Sequence, residues 1–555
     1  MTETEYRTSP DHETTGWPPG VPYIIGNEGC ERFSFYGMRS ILTLFMAEVL
    51  YVNHPVFKSD PDDYAKAHYH LFVAAVYALP MIGAILADRL IGKYNTILWL
   101  SLVYTGGHAV LAAFEGSVWG LWVGLGLIAV GSGGIKPCVS ANVGDQFGKN
   151  NWFRVRTVYQ AFYFIINFGS FFATLLIPFL WRHYGASIAF GLPGILMAAA
   201  TVVFWTGRKK FVHVPAKPGG KVGLLDALSS TALFLSVGHL FFTGDLSWWL
   251  ELLLSVFFLV LGFYLFSERQ KRHPDDGFLA VLVFAVKSWV ARGADREVAA
   301  ADQQTPAPSP EVEERRAKLR KSRLFGPAVR HFGIEATEGP VAVLSIMSVF
   351  FLVSIFWALF DQHGSSWILQ AKQMELSVAL PLYGALEVQP SQVAALNPLL
   401  VMLLIPLTNY VIYPGVEKLG FKATPLRRMT AGMVVAALSF VAVALIQARI
   451  DAQGNGVVPI EWQIIPYIII TLAEVMVSIT GLEFAYTQAP KRMKSTIMGF
   501  WLLTVSLGNV LVSIISLIKL PLAEFFWVFA GLMAGAALLF GLRAYFYRSQ
   551  DYIQD

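Results

Sequence analysis

Residues 187–206 read SIAFGLPGILMAAATVVFWT, twenty positions without a charge, and Gly207-Arg208-Lys209-Lys210 follows at once. A helix needs about 20 mostly apolar residues to cross roughly 30 Å of hydrocarbon, so this segment is long enough to span a bilayer. The basic triplet behind it marks a boundary between membrane and water. The rest of the chain repeats the pattern. Of 555 residues, 55% are hydrophobic and only 14% are charged, and the mean hydropathy is +0.53, a composition that excludes a soluble globular domain.

Apolar runs bounded by turn residues predict six helices over 22–51, 68–91, 95–114, 118–142, 155–181 and 187–206. A second six is predicted over 341–370, 393–415, 425–447, 461–489, 494–518 and 523–546. Two more runs, 223–243 and 246–267, meet at a short turn around Asp245. The expected architecture is an all-α membrane protein of about 14 helices: an N-terminal tail (1–21), a six-helix bundle (22–207), a cytoplasmic linker (208–340) holding the extra pair, a second bundle (341–547) and a tail (548–555). Within the linker, 268–340 turns charged and rich in Ala and Pro, as in Gln303-Gln304-Thr305-Pro306 and the basic run from Arg315 to Arg323. That stretch reads as solvated and partly disordered. Its apolar patch 278–290 is too short to span and fits an interfacial or packed amphipathic helix.

Lys and Arg gather in alternate loops: Arg89 and Lys93; Lys149, Arg154 and Arg156; Arg208 to Lys210; Lys418, Lys422, Arg427 and Arg428; Lys491, Arg492 and Lys494. The intervening loops hold only Lys58, Lys66, Arg182, Lys372, Arg449 and Lys519. By the positive-inside rule the first set is cytoplasmic, and both termini and the linker lie with it. The first twenty residues lack a signal-peptide pattern. Cys30 and Cys138 both lie in apolar or glycine-rich sequence and indicate no disulfide framework. Two six-helix halves joined inside the cell fit a major facilitator fold, with a site midway across the bilayer between the halves. A weak echo, Gly37-Met38-Arg39-Ser40-Ile41-Leu42 against Gly364-Ser365-Ser366-Trp367-Ile368-Leu369, is consistent with repetition.

An ionisable group at mid-bilayer costs about 2.5–3.5 kcal/mol on insertion scales, so charges inside apolar helices mark function. The first helix carries Glu28-Gly29-Cys30-Glu31-Arg32 and, two turns on, Arg39. Helical spacing puts Glu28, Glu31 and Arg32 on one face. Two acids against one guanidinium leave a surplus carboxylate free to take up a proton; a structural pair at the helix start is the alternative. The fourth helix carries Gly133-Gly134-Ile135-Lys136-Pro137, a buried cation beside a proline. Its spacing differs from a phosphate-binding loop, and no strand precedes it. In the second half stand Asp361 and Glu474, with Glu483 near Lys491 and Arg492 as its expected structural partners.

These segments resemble the proton-coupled oligopeptide transporter family. Glu28-x-x-Glu31-Arg32 matches that family's first-helix motif, and Gly133-Gly134-Ile135-Lys136-Pro137-Cys138-Val139-Ser140 with Gly144-Asp145-Gln146-Phe147 matches its fourth-helix signature. Phe162-Tyr163-Phe164-Ile165-Ile166-Asn167-Phe168-Gly169-Ser170 matches the fifth, while Phe356-Trp357-Ala358-Leu359-Phe360-Asp361-Gln362 and Glu483-Phe484-Ala485-Tyr486-Thr487-Gln488 resemble animal peptide carriers. Only about 208–340 falls outside the resemblance, and an extra helix pair there looks like that of bacterial members.

The resemblance implies a symporter of di- and tripeptides in the bacterial inner membrane, with no cofactor beyond the coupling proton, no nucleic-acid partner, and function as a monomer. It implies proton coupling at Glu28, Glu31, Arg32 and Lys136; Arg32 and Lys136 on the peptide carboxylate; Glu474, with Asn167 and Asn397, on its amine; and Arg39 with Asp361 as an outer gate. Lys136 with Glu474 would form a second bridge between the halves. Tyr36, Tyr77, Trp357 and Trp501 would line the pocket, ordinary packing being the other reading. Phe35 stands where many bacterial members have Tyr. His70 matches a His of animal carriers; its ordinary pKa of about 6.5 suits a proton relay, against a plain packing role. The competing readings are a carrier of nitrate or amino-acid-like solutes in the same fold, and a transport-linked sensor using the linker. A membrane enzyme is disfavoured because no His-Glu-x-x-His is present and no Gly-x-Ser-x-Gly stands on a strand.

Overall fold

The structure is a computed structural model that describes residues 6–241, 247–291, 310–380, 384–420, 422–488 and 493–547. Fourteen helices in it are long and apolar enough to cross a membrane. In chain order they begin with α1 (Val21–Leu50), α2 (Pro61–Ile91), α3 (Lys93–Ala113), α4 (Val118–Asp145), α5 (Thr157–Tyr184), α6 (Ala186–Lys209), α7 (Gly220–Gly238) and α8 (Trp248–Arg272). Three shorter helices follow, α9 (Phe278–Val290), α10 (Pro310–Arg320) and α11 (Gly326–Phe332). The remaining spans are α12 (Ile334–Lys372), α13 (Pro390–Lys418), α14 (Pro425–Gln453), α15 (Ile460–Ala485), α16 (Thr496–Ser516) and α17 (Leu522–Phe546).

Buried side chains collect into two large cores. One is built from residues between Val21 and Phe211 and the other from residues between Val343 and Phe540, with Tyr77 packed against both. Each half thus buries its own apolar surface, which leaves the seam between them free to carry polar groups. The first and last described segments, from Tyr6 and up to Tyr547, lie at one face, here the terminal face. There Arg154 donates to the Thr15 carbonyl at 2.8 Å, the His213 amide donates to the Arg7 carbonyl at 2.7 Å, and Tyr547 packs on Phe484 with ring centroids 5.3 Å apart. On the opposite face Arg182 pairs with Glu387 at 3.0 Å, Lys372 with Glu48 at 3.0 Å and Lys519 with Asp60 at 2.6 Å, so the two halves are stitched together there.

Several expected boundaries move for physical reasons. The second helix starts at Pro61, not 68, because Lys66 is buried rather than looped out: it pairs with Asp63 at 2.7 Å and its Nζ lies 4.4 Å from the Phe525 ring centre. A hydropathy window discards that amphipathic first turn. The helix expected over 341–370 begins at Ile334 and breaks into one tight turn at Asp361–Gly364 before resuming at Ser366. Another unpredicted feature is the hairpin Ser377–Leu380 with Gly384–Glu387, paired Val378 to Leu386.

The linker is more ordered than its composition implies. Helix α9 forms over Phe278–Val290 and, with α11 and the start of α12, buries Val281, Ala285, Phe325, Ala328, Val329 and Ile334 in a small core of its own. Part of the basic run is paired within the chain: Arg315 and Arg316 share Glu338 at 3.3 and 3.2 Å, and Arg320 reaches Glu313 at 2.9 Å. The described part of 310–340 is therefore packed, and the expectation of a solvated stretch fails there. Residues 292–309, the turn around Asp245, Lys491 and Arg492, and the 548–555 tail lie outside the described residues.

Candidate functional site

Helix α1 places the acidic motif as its spacing requires. Arg32 Nε lies 2.7 Å from Glu28 Oε1 and 3.2 Å from Glu31 Oε2, and both carboxylates are buried. Ser132 on α4 donates to Glu31 Oε1 at 3.4 Å. Helix α4 packs closely on α2 because glycines on both sides leave room: a Cβ on Gly83 of α2 would stand 2.5 Å from the Gly133 carbonyl oxygen, and one on Gly133 would stand 2.5 Å from the Leu79 Cβ.

One turn past Gly133, Lys136 projects its ammonium between two aromatic faces, 4.1 Å from the Phe35 ring centre and 4.4 Å from that of Tyr77. Its Nζ is buried and has no hydrogen-bond partner among the described residues. The cation is thus held by ring quadrupoles, an interaction of about 2 kcal/mol or more once desolvated. Phe35, read in the sequence as a lost hydroxyl, is one of the two rings.

From the other half, α15 supplies Glu474, where the helix widens into an i to i+5 turn over Val475–Ile479. Such insertions cluster at functional sites because they turn side chains out of register. Asn397 of α13 donates to Glu474 Oε2 at 2.8 Å and lies 3.2 Å from Thr471 Oγ1. The expected Lys136–Glu474 bridge is therefore not formed here: Glu474 takes the Asn397 amide, and Lys136 takes the two rings. Tyr36 packs edge-on against Phe35 with ring centroids 5.5 Å apart, and its hydroxyl is within electrostatic reach of Arg32, Arg39 and Glu474. Tyr163, which the sequence reading did not single out, is within reach of both Glu474 and Tyr36. Asn167 donates to the Tyr163 carbonyl one turn back at 2.9 Å and, among the described residues, engages no charged group.

Trp501 and Trp357 behave as packing residues. Trp501 is buried, 4.9 Å from Phe350 and 6.1 Å from Trp357 between ring centroids, with its ring against Gly481. They stiffen the second half behind the site.

A second polar constellation lies toward the opposite face. Arg39 pairs with Asp361 at 2.6 Å across the seam and also donates to the Tyr69 hydroxyl. Asn509 of α16 donates to the other Asp361 oxygen at 2.7 Å. Its own carbonyl oxygen then faces His70 Nδ1 at 2.6 Å, while His70 Nε2 meets the Ser365 hydroxyl at 2.7 Å. Because the Asn509 amide must point its NH2 at the carboxylate, His70 Nδ1 carries the proton. Thr43 adds a bond to the Gly364 carbonyl at 3.0 Å. His70 thus joins the Arg39–Asp361 pair and is hydrogen-bonded to none of Glu28, Glu31 or Lys136. Tyr69, Ser365 and Asn509 were missed in the sequence, although a lone Asn inside an apolar helix was the available signal for Asn509.

A family model described as "PTR2: POT family" matches residues 94–239 and 228–524. The chain belongs to the POT family. Among solved POT structures, one described as an auto inhibited POT family peptide transporter is 37% identical, with a TM-score of 0.76 over 97% of this chain and 99% of that one. Another, a proton dependent oligopeptide (POT) family transporter, is 39% identical, with a TM-score of 0.66 over 94% of this chain and 100% of its own. Solute carrier family 15 member 1 of Homo sapiens is 31% identical over 474 residues, covering 80% of this chain and 54% of that protein. Peptide transporter family 1 of Drosophila melanogaster is 31% identical over 459 residues, 80% of this chain and 50% of its own. The chain spans about half the length of these curated POT relatives.

Proposed function

We propose that this POT family chain is a proton-coupled symporter of di- and tripeptides that works by alternating access, with the terminal face cytoplasmic and the opposite face outside a bacterial inner membrane. The observation that carries the reading is the separation of unlike charges across the seam: on the first half Arg32 and Lys136, the latter without a hydrogen-bond partner among the described residues, and on the second Glu474. A peptide offers a carboxylate and an amine at its two ends, so fixed charges engage the ends while aromatic walls tolerate the side chains. The names of the relatives point the same way, and the alternation of basic loops supports the orientation.

Proton coupling follows from the excess acid. Glu28 and Glu31 share one guanidinium; protonating either releases part of Arg32 for the incoming carboxylate. Proton entry supplies direction, since one charge crossing 100 mV contributes about 2.3 kcal/mol, roughly fifty-fold accumulation. On this reading the Arg39–Asp361 pair closes the outer side in the state described, and the chain acts as a monomer without cofactor.

The test is dipeptide uptake into proteoliposomes of the purified protein, with and without an inward proton gradient. Wild type accumulates dipeptide only with the gradient. Glu31→Gln loses driven uptake and keeps counterflow exchange, and Glu474→Gln loses affinity. Wild type that accumulates no dipeptide under any gradient would sink the proposal and shift attention to another small solute.

A further inference from the structure

The two linker pieces are docked on different halves of the molecule. Helix α7 lies against the terminal end of α2: Gly223 packs on the Arg89 carbonyl, the Gly219 amide donates to that same carbonyl at 3.1 Å, and the Lys217 amide donates to the Asp88 carbonyl at 2.9 Å. Asp226 of α7 then pairs with Arg269 of α8 at 2.6 Å and sits 3.8 Å from Arg89. The α7–α8 pair thus belongs mechanically to the first half. Helix α9 belongs to the second: it packs on α11 and α12 through the core around Val281 and Ala285, and Phe278 meets Phe500 of α16 with ring centroids 5.7 Å apart.

Only residues 273–277 connect α8 to α9. Fully extended, five residues reach at most about 17 Å. They are not extended. Arg269, which is 1% exposed, donates to the His273 carbonyl at 2.6 Å and pairs with Asp275 at 2.7 Å, and Gln270 exchanges two bonds with Asp275 at 2.8 and 3.0 Å. The elbow is folded back on the same arginine that holds α7 to α8. Beside it, a cleft of about 640 Å³ separates α8 from α9 and α11, walled by Phe263, Phe266, Val283, Lys287 and His331. The two helices on either side of the elbow are therefore hinged rather than packed together.

We infer that the elbow at 273–277 is a strap between the halves on the terminal face, which sets how far that face opens, with Arg269 as the clasp that keeps it short. This rests on the alternating-access reading, in which the halves separate there. The polar contacts that tie α1, α2, α5 and α16 to the other half gather on the opposite face, so on the terminal face a covalent strap of fixed length takes the load. Swinging about the elbow opens or closes the cleft without breaking either docked core.

Distances between spin labels at positions 149 and 418, exposed on the terminal face of the two halves, test the inference in lipid nanodiscs. Labels carried on keto-bearing residues leave Cys30 and Cys138 untouched. Inserting six Gly and Ser residues after Asp276 adds up to about 20 Å of contour, and the long edge of the distribution moves out by on the order of 10 Å. Arg269→Lys keeps the charge and loses the fork that grips both Asp226 and Asp275, and moves the same edge less. An unchanged edge in the insertion variant, while wild type shifts its distances on adding dipeptide or acid, overturns the strap and leaves the transport reading standing. Distances that respond to neither ligand nor insertion overturn both. A thermal melt of each variant separates release of the strap from loss of fold.

Discussion

The constellation around Arg39, proposed above as the outer gate, and the one around Arg32, proposed as the substrate and proton site, use the same chemistry to opposite ends. At the gate every charge is matched: one guanidinium meets one carboxylate, the second carboxylate oxygen takes the Asn509 amide, and His70 and Ser365 complete the chain. At the site the sums do not close. Among the described residues, two acids share one arginine, Lys136 lies between two ring faces with no hydrogen-bond partner, and Glu474 takes the Asn397 amide. A saturated network in a low-dielectric seam fixes one conformation, whereas an unsaturated one keeps capacity for a proton and a zwitterion. On the proposed reading the saturated network is the lock and the unsaturated one the load, a few helical turns apart in one chain.

Breaking the gate asymmetrically has the largest expected effect. Asp361→Ala leaves the Arg39 charge buried without its counter-ion, with only the Tyr69 hydroxyl as partner among the described residues, which costs about 3–5 kcal/mol and depopulates the state described here. The double variant Arg39→Ala with Asp361→Ala costs less than Asp361→Ala alone. Thermal melts and label distances across the opposite face read this cycle, and strictly additive losses would show that the pair is not coupled. Next in size is Asn509→Leu, which strands one Asp361 oxygen and the Nδ1 proton of His70, at about 1–3 kcal/mol. The companion His70→Ala in the Asn509→Leu background then costs little more, because the link to Asp361 has already gone.

How much of this was legible in the sequence divides along the same line. All the spanning helices were visible, because hydropathy integrates over about 20 residues and single errors average out. So were Glu28, Glu31, Arg32 and Lys136, since a charge inside an apolar run is conspicuous in one dimension. The gate was half visible: Arg39 and Asp361 stood out as charges, but Tyr69, Ser365 and Asn509 are ordinary in composition and acquire a role only through contacts between residues hundreds of positions apart. Lys66 misled because an amphipathic first turn looks like a loop when averaged. Trp501 is ambiguous in sequence for another reason, since an aromatic beside a site and an aromatic lining it are identical in composition. The linker was misread because Arg315 and Arg316 find Glu338 across a stretch whose composition alone says water.

The smaller predictions sharpen the comparison at its edges. Lys136→Met removes a cation with no ion pair among the described residues and keeps a long apolar side chain against Phe35 and Tyr77. The lost cation–ring attraction is offset by the relieved cost of burying a charge, so the melting temperature changes little. Dipeptide affinity, by contrast, falls about ten-fold or more, the loss of one charge-assisted contact. A large destabilisation without loss of affinity would make Lys136 structural and would erase the distinction between lock and load.

Smallest of all is the Lys519–Asp60 pair on the opposite face, which touches both halves yet lies in water. The Lys519 ammonium holds the Asp60 carboxyl below the ordinary carboxylate range. Its folded pKa being depressed, whatever it contributes is present above the unfolded value near 3.9 and disappears as pH falls through the folded one. Solvent and salt screen such a pair almost completely. Lys519→Ala should therefore leave the melt and the uptake rate at wild-type values from neutral pH down to about 5, measured in the same proteoliposomes. If it instead mimicked Asp361→Ala, closure of that face would depend on its rim, and the buried network would lose its claim to be the lock.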